Sequence, residues 1–227
     1  MVKVISFCLW GKDPKYNVGA LANAKLALEV YPGWECWFYC RNDADGATML
    51  ELTQMDHCRV IFVDKPGSWT GMFDRFQPCI DSGVEAFISR DCDSRLTARE
   101  AAAVNQWMET PWPFHAMRDH PHHTVPILGG MWGMKRGAIS PMVLESSMDE
   151  WDQEDRWQTD QEWLTQEIWA THKLRFLCHD DGFLNHFYGG IRFPTARLAS
   201  GEFVGATYDE NGVIDAGQVA LLKQVIG

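Results

Sequence analysis

The stretch Ala86-Phe87-Ile88-Ser89-Arg90-Asp91-Cys92-Asp93-Ser94-Arg95 decides how this chain reads. A short apolar run ends abruptly in two carboxylates at i and i+2, with an arginine on either side. A strand that delivers Asp-x-Asp at its carboxyl end sets two hard oxygen ligands beside a cavity. There they can hold a divalent cation that grips phosphate oxygens. Acidic residues are common in turns, so the bare motif carries little. Arg90 and Arg95 add to it, being odd neighbours for a structural acidic turn and natural partners for a diphosphate.

Working outward, strands and helices alternate through the first half. Val2–Leu9 is apolar and β-branched and stops at Gly11-Lys12-Asp13-Pro14, the mark of a buried first strand. Residues 16–31 carry apolar side chains at helical spacing and end at Pro32-Gly33. Strands are expected over 34–40, 59–63 and 84–90, and helices over 47–55 and 71–80, with Phe73 and Phe76 sharing one face of the latter. Thr97 and Glu100 form a capping box that opens a helix running to about Met108. The second half is less regular. Strands are expected over 114–118, 127–134 and 175–178, and a helix within 151–169 capped by Thr159. The alternation predicts one α/β domain over residues 1–227, a central mostly parallel sheet flanked by helices. Residues 1–95 form its regular half and 96–227 its less regular half. In such sheets ligands bind outside the carboxyl ends of the strands, where both Asp91 and the end of the first strand fall.

Composition narrows the partners. Twenty basic against 31 acidic residues leave a net charge of −11, which argues against nucleic acid or an anionic membrane surface. An anionic substrate must then be met by local arginines or a metal. Eleven tryptophans suit core packing, with a few left over as stacking platforms for sugar rings. Seven cysteines, an odd count without a Cys-x-x-Cys pair, read as free thiols in a reducing compartment. Together with the lack of a signal peptide or a membrane-length apolar run, they predict a cytoplasmic location.

Further constellations have bland and functional readings. His179-Asp180 follows a short apolar strand, and its imidazole could complete a carboxylate site suited to Mn²⁺. His115, His120, His122 and His123 have the wrong spacing for a zinc finger; the loop that carries them could line a site, chiefly with Arg118 and Asp119. Gly129-Gly130-Met131-Trp132-Gly133 is too glycine-rich for an ordinary strand and implies close backbone approach by a ligand or a bulge, against the blander reading of a tight packing crossover. Thr159-Asp160-Gln161 could be a helix cap with an acidic first turn, a reading that leaves Gln161 unexplained.

Taken in order, these pieces resemble metal-dependent glycosyltransferases of the GT-A fold. The Asp-x-Asp, Gly-rich strand, Asp-Gln and late His follow the order of the retaining family 8 enzymes. Arg90–Arg95, Arg99-Glu100, Met117–Pro121, Ile127–Gly133 and Thr159–Gln161 are similar to a small group of glycosyltransferase domains from chlorella viruses and bacteria. The resemblance implies that Asp91 and Asp93 hold Mn²⁺ or Mg²⁺ against the donor diphosphate, with His179 as third ligand. It implies that Phe7, Leu9 and Trp10 lie along the nucleoside, uridine being the usual base, and that Arg75, Arg90 and Arg95 help hold the donor. Gly129, Gly130, Asp160 and Gln161 would face the transferred sugar and its glycan or small hydroxyl acceptor. Asp160 and Asp119 are the candidate catalytic carboxylates, and the resemblance leans to retention. Gly-Gly-Met-Trp stands where family 8 has Asn-x-Gly, so sugar preference does not transfer. The rivals are a nucleotidyltransferase or another metal-dependent phosphate enzyme, and a non-catalytic sugar-binding module.

Overall fold

The computed structural model describes residues 1–181 and 190–226. Its sheet has seven strands: β1 (Val2–Leu9), β2 (Glu35–Arg41), β3 (Cys58–Val63), β4 (Val84–Ser89), β5 (Phe114–Arg118), β6 (Trp132–Lys135) and β7 (Phe176–Asp180). Their order is β3-β2-β1-β4-β6-β5-β7. All run parallel except β6, which lies antiparallel between β4 and β5. The order reverses between β1 and β4, so their carboxyl ends open the crevice in which such sheets bind ligands.

Helices α1 (Pro14–Val30) and α2 (Gly46–Thr53) start on Asp13 and Asp45, whose carboxylates accept the Lys15 and Thr48 amides. Half of the expected capping box holds at α3 (Ala98–Met108): Thr97 accepts from the Glu100 amide, while the Glu100 carboxylate accepts from Arg90 and Tyr31 instead. Phe7, Leu9 and Phe38 fill the face under α1 and α2, while Phe73, Phe76, Trp132 and Trp163 fill the other.

The segment Trp69–Cys79 is a 3-10 helix, and this winding matters to the site. Three residues per turn align i, i+3 and i+6. Phe73, Phe76 and Cys79 therefore share the stripe buried in the core, and Trp69, Met72 and Arg75 share the stripe that lines the cavity described below. Buried Arg41, at the end of β2, fixes the start of this helix through Thr70 Oγ1 (2.8 Å) and Asp74 Oδ2 (2.7 Å).

Three expectations need correction. The strand expected over 127–134 begins only at Trp132; residues 127–131 form a loop held by side chains of neighbouring elements. The helix expected within 151–169 is broken. After α4 (Pro141–Trp151) the chain loops to Gln158, which has φ of 68°, and then enters α5 (Thr159–Trp163). Gln158 holds the cap position, and the Thr159 hydroxyl donates back to the Glu154 and Arg156 carbonyls instead. A π-helical stretch (Leu164–Trp169) carries α5 into α6 (Ala170–His172). A last helix, α7 (Ala216–Ile226), had no counterpart in the sequence reading.

Candidate functional site

A cavity of about 210 Å³ opens at the crevice beside β4. The Asp-x-Asp turn that borders it is clamped from several directions. Arg90 N–H donates to Ser6 O (3.0 Å), extending the β1–β4 ladder by one residue. Asn23 of α1 donates to Ser94 O (2.9 Å) and accepts the Leu96 amide (3.0 Å). The helix can come so close because residue 19 is glycine: a Cβ there would overlap the Cys92 carbonyl. From the C-terminal segment, Tyr208 N–H donates to Asp93 O (2.8 Å).

Arg75 organises the cavity wall. Its guanidinium is 2% exposed and bridges two carboxylates, Asp91 through Nη1 and Asp160 through Nη2 at 2.8 Å. Asp91 is 40% exposed, whereas Asp160 is buried. Burial pushes the Asp160 carboxyl up from the usual carboxylate range, opposed by the Arg75 charge. Gly129 and Gly130 pass directly behind this triad. A Cβ on Gly130 would overlap the Asp91 carboxylate, and one on Gly129 would overlap Arg75 and sit 2.7 Å from Asp160 Oδ2. The close approach read from these glycines is thus to the carboxylate–arginine array. Gln161 completes the clamp: its Oε1 accepts the Gly129 amide at 3.0 Å and its Nε2 donates to Ile127 O. Its amide holds the loop in place while the residue lines the cavity.

Asp93 pairs with Lys15 Nζ of α1 at 2.7 Å. Burial first, then the neighbouring Asp91 charge, pushes the Asp93 carboxyl up. Two crowded carboxylates offering oxygen donors fit Mn²⁺ or Mg²⁺, because a divalent cation would relieve their repulsion.

The structure does not bring His179 to this pair. Its Nδ1 lies 2.8 Å from His115 Nε2 and its Nε2 3.0 Å from Gln106 Oε1, on a ring wholly buried at the far strand β7. Burial lowers its pKa to about 4, and His179 is part of a neutral polar core pair. Arg90 is also corrected: it is buried against Glu100 (2.9 Å) and faces the interior. Arg95 donates to the Cys92 and Ser94 carbonyls and stacks on Tyr208 at 5.0 Å, off the cavity wall. Asp119 is buried between Arg99 (2.9 Å) and Arg197 (2.6 Å) and accepts the Val204 amide, so it is a structural anion. On β1 the pleat decides. Phe7, stacked on Phe38 at 4.8 Å, and Leu9 both point into the core. Trp10, half-buried, packs against the Gly67 and Gly71 backbone.

Sequence reading missed several residues. Cys8 alternates with Phe7 and Leu9, and the strand period could have placed it among the site charges. Burial raises its thiol to about 12, moderated by Arg75. His123 lines the cavity; its Nδ1 accepts the Asp119 amide at 2.9 Å, which leaves the ring proton on Nε2. Burial lowers its pKa to about 3. Trp69 and Trp157, 46% and 65% exposed, line the same cavity, as does the left-handed Gln158. Their exposure could not be read from apolar periodicity.

Neither a family profile nor a curated protein matches the sequence. Among solved structures, the chain is similar to a glycosyltransferase involved in the glycosylation of the major capsid of PBCV-1. That likeness has a TM-score of 0.52 and 12% identity and covers 79% of this chain and 82% of that one. It is also similar to the galactosyltransferase LgtC (TM-score 0.47, 12% identity, 79% and 73% covered). A third likeness is to 4-diphosphocytidyl-2C-methyl-D-erythritol synthase from Anaerococcus prevotii (0.48, 9%, 86% and 91% covered). The last two overlaps are too loose to carry an argument. The likeness to the viral enzyme, together with the strand order, gives this chain the GT-A-type glycosyltransferase fold.

Proposed function

We propose that this chain is a metal-dependent glycosyltransferase that moves a sugar from a nucleoside diphosphate, UDP by resemblance, to a hydroxyl of a glycan or small acceptor. One observation carries the reading: the Arg75 bridge between Asp91 and Asp160, backed by Gly129 and Gly130, at the crevice where the strand order reverses. A sugar-binding module has no need of a buried arginine between two carboxylates.

In this reading Asp91 and Asp93 hold Mn²⁺ or Mg²⁺, which supplies Lewis-acid neutralisation of the departing diphosphate. Lys15 and Arg75 balance these carboxylates and would turn toward phosphate oxygens when the donor binds. Asp160 sets a fixed negative charge beside the transferred sugar, complementary to an oxocarbenium-like transition state. An inverting enzyme would need a carboxylate free to take the acceptor proton. Asp160 is tied to Arg75, and Asp119 to Arg99 and Arg197. Neither candidate carboxylate is free, which supports retention. Trp69 and Trp157 offer exposed ring faces at the cavity on which an acceptor sugar can stack.

The test is product release from nucleotide sugars with Mn²⁺ and with EDTA. Free UDP appearing only with the cation supports the reading, whereas pyrophosphate formed from UTP and a sugar phosphate would make the chain a nucleotidyltransferase. A thermal-shift panel of UDP, GDP and CMP, each with and without Mn²⁺, identifies the base. The anomeric signal of the fresh product by NMR decides between retention and inversion.

A further inference from the structure

At the end of the sheet away from the cavity, the amino ends of β2 and β3 bring together three side chains that the proposed reaction does not use. Cys36 and Cys58 are paired in register on these parallel strands, so their side chains leave the sheet on one face, beneath α1 and α2. His57 immediately precedes Cys58. Among the described residues this is the one set of three His, Cys, Asp or Glu side chains whose ligand atoms all lie within 4.8 Å of one another.

Backbone bonds hold the strand ends that carry the set. Cys36 N–H donates to His57 O and Cys58 N–H to Met55 O, both at 2.8 Å, and His57 Nε2 lies 2.7 Å from Ala24 O of α1. His57 and Cys58 are half-buried and Cys36 is buried, so an ion has a path in from solvent. The sulfur of Cys58 is 3.6 Å from His57 Nε2. A regular tetrahedron with Zn–S of about 2.3 Å and Zn–N of about 2.0–2.1 Å has an S···N edge of about 3.6 Å. The observed pair therefore already stands at the separation of two zinc ligands.

We propose that Cys36, His57 and Cys58 form a zinc site, with water in the fourth position. Two thiolates and an imidazole select Zn²⁺ over the hard cations suited to Asp91 and Asp93, so the chain would sort two metals by ligand chemistry. In the metal-free form His57 Nε2–H donates to Ala24 O; the bound form carries the ring proton on Nδ1. Binding then releases two protons, one from each thiol. The site ties edge strand β3 to β2 at the end opposite the cavity, a role in stability that stands apart from sugar transfer.

The test uses the full chain, reduced and stripped with chelator, and titrates it with Co²⁺ and then Zn²⁺. One equivalent of Co²⁺ should give a thiolate-to-cobalt absorption band, which Zn²⁺ abolishes on displacement, and Zn²⁺ should raise the melting temperature. The band should persist in the Asp91→Asn/Asp93→Asn double variant, because carboxylate-bound cobalt gives no thiolate band. It should vanish in Cys58→Ser, and His57→Gln should weaken zinc binding at least ~100-fold, the upper end of what losing even an outer-shell partner costs. His57 is half-buried, so that variant keeps the test open if Cys58→Ser fails to fold. No thiolate band in the wild type, or a band unchanged in Cys58→Ser and His57→Gln, overturns the proposal.

Discussion

Replacing Arg75 with methionine tests whether the cavity wall is held together by charge. The substitution roughly keeps the side chain's length but leaves Asp160, 7% exposed, without its counter-ion. Breaking a buried ion pair by removing one partner costs about 3–5 kcal/mol. Asp91, the other partner, is 40% exposed, and water replaces much of what it loses. The cost therefore belongs chiefly to Asp160, and protonation can relieve it. Burial already raises that carboxyl, and the main opposing influence is the Arg75 charge, so removing the arginine raises it further. A carboxyl whose folded-state pKa lies above its unfolded value adds stability in acid and loses it as pH rises through the folded value. The deficit of Arg75→Met against the wild type should thus be full at pH 8 and shrink steadily toward pH 5. Urea unfolding followed by circular dichroism at both pH values measures it. A deficit that is the same at pH 8 and pH 5, or below ~1 kcal/mol at pH 8, would show that Asp160 does not depend on Arg75.

Gly130→Ala should fold with a loss of about 1–3 kcal/mol while displacing Asp91, so a UDP thermal shift that depends on Mn²⁺ should disappear. Gly129→Ala should be the more damaging of the two, because the Arg75 and Asp160 side chains it meets are buried and cannot swing away. Asp160→Asn should lower kcat at least ~100-fold with UDP and Mn²⁺ binding near wild type, as for a group that acts mainly on the transition state; near-normal turnover would make it structural only. Arg90→Met should cost about 3–5 kcal/mol by stranding Glu100, yet leave nucleotide binding per folded molecule unchanged; a specific loss of UDP affinity would restore Arg90 to the donor site. His123, held neutral with a pKa near 3, favours the native state above the ordinary histidine range and ceases to do so as pH falls from about 6.5. The stability gap between wild type and His123→Leu should therefore narrow by about 2 kcal/mol between pH 7 and pH 5, and a constant gap in urea titrations would refute the assignment.

The first half of the fold was legible because its elements are short, periodic and punctuated. β1, β4 and the Thr97 cap lie within a residue of where apolar runs, Pro-Gly breaks and the capping box put them. In the second half β5 and β7 also fall where their apolar runs put them, but the segments between them do not, for a physical reason. Ile127–Met131 carries strand-like apolar residues, but the Ile127 and Gly129 backbone is taken up by Ser89 (2.7 Å) and Gln161, and strand β5 meets the segment at Met131 O. Periodicity cannot report a segment held by side chains from elsewhere in the chain. The break at Gln158 is equally silent, since a non-glycine residue at positive φ has no compositional mark.

Of the carboxylates named from the sequence, Asp91 and Asp160 line the cavity, but the arginines adjacent in sequence do not keep them company. Arg90 and Arg95 flank Asp91 and Asp93 in the chain, yet a strand alternates its side chains, and Arg90 turns into the core toward Glu100 while Arg95 lies along its own turn. The cations that do meet the acids come from a 3-10 helix and from the start of α1. Arg75 and Lys15 lie 16 and 78 residues away from their partners Asp91 and Asp93. This arrangement also answers the problem set by a net charge of −11. An acidic protein that handles a diphosphate cannot rely on its long-range field, which at ionic strengths near 0.15 M is screened beyond about 8 Å. It needs cations fixed at the site, and fixed cations need counter-charges when the site is empty. Asp91, Asp93 and Asp160 fill that need, so one set of carboxylates keeps Arg75 and Lys15 in place and, in the proposed reaction, hands them over to the donor.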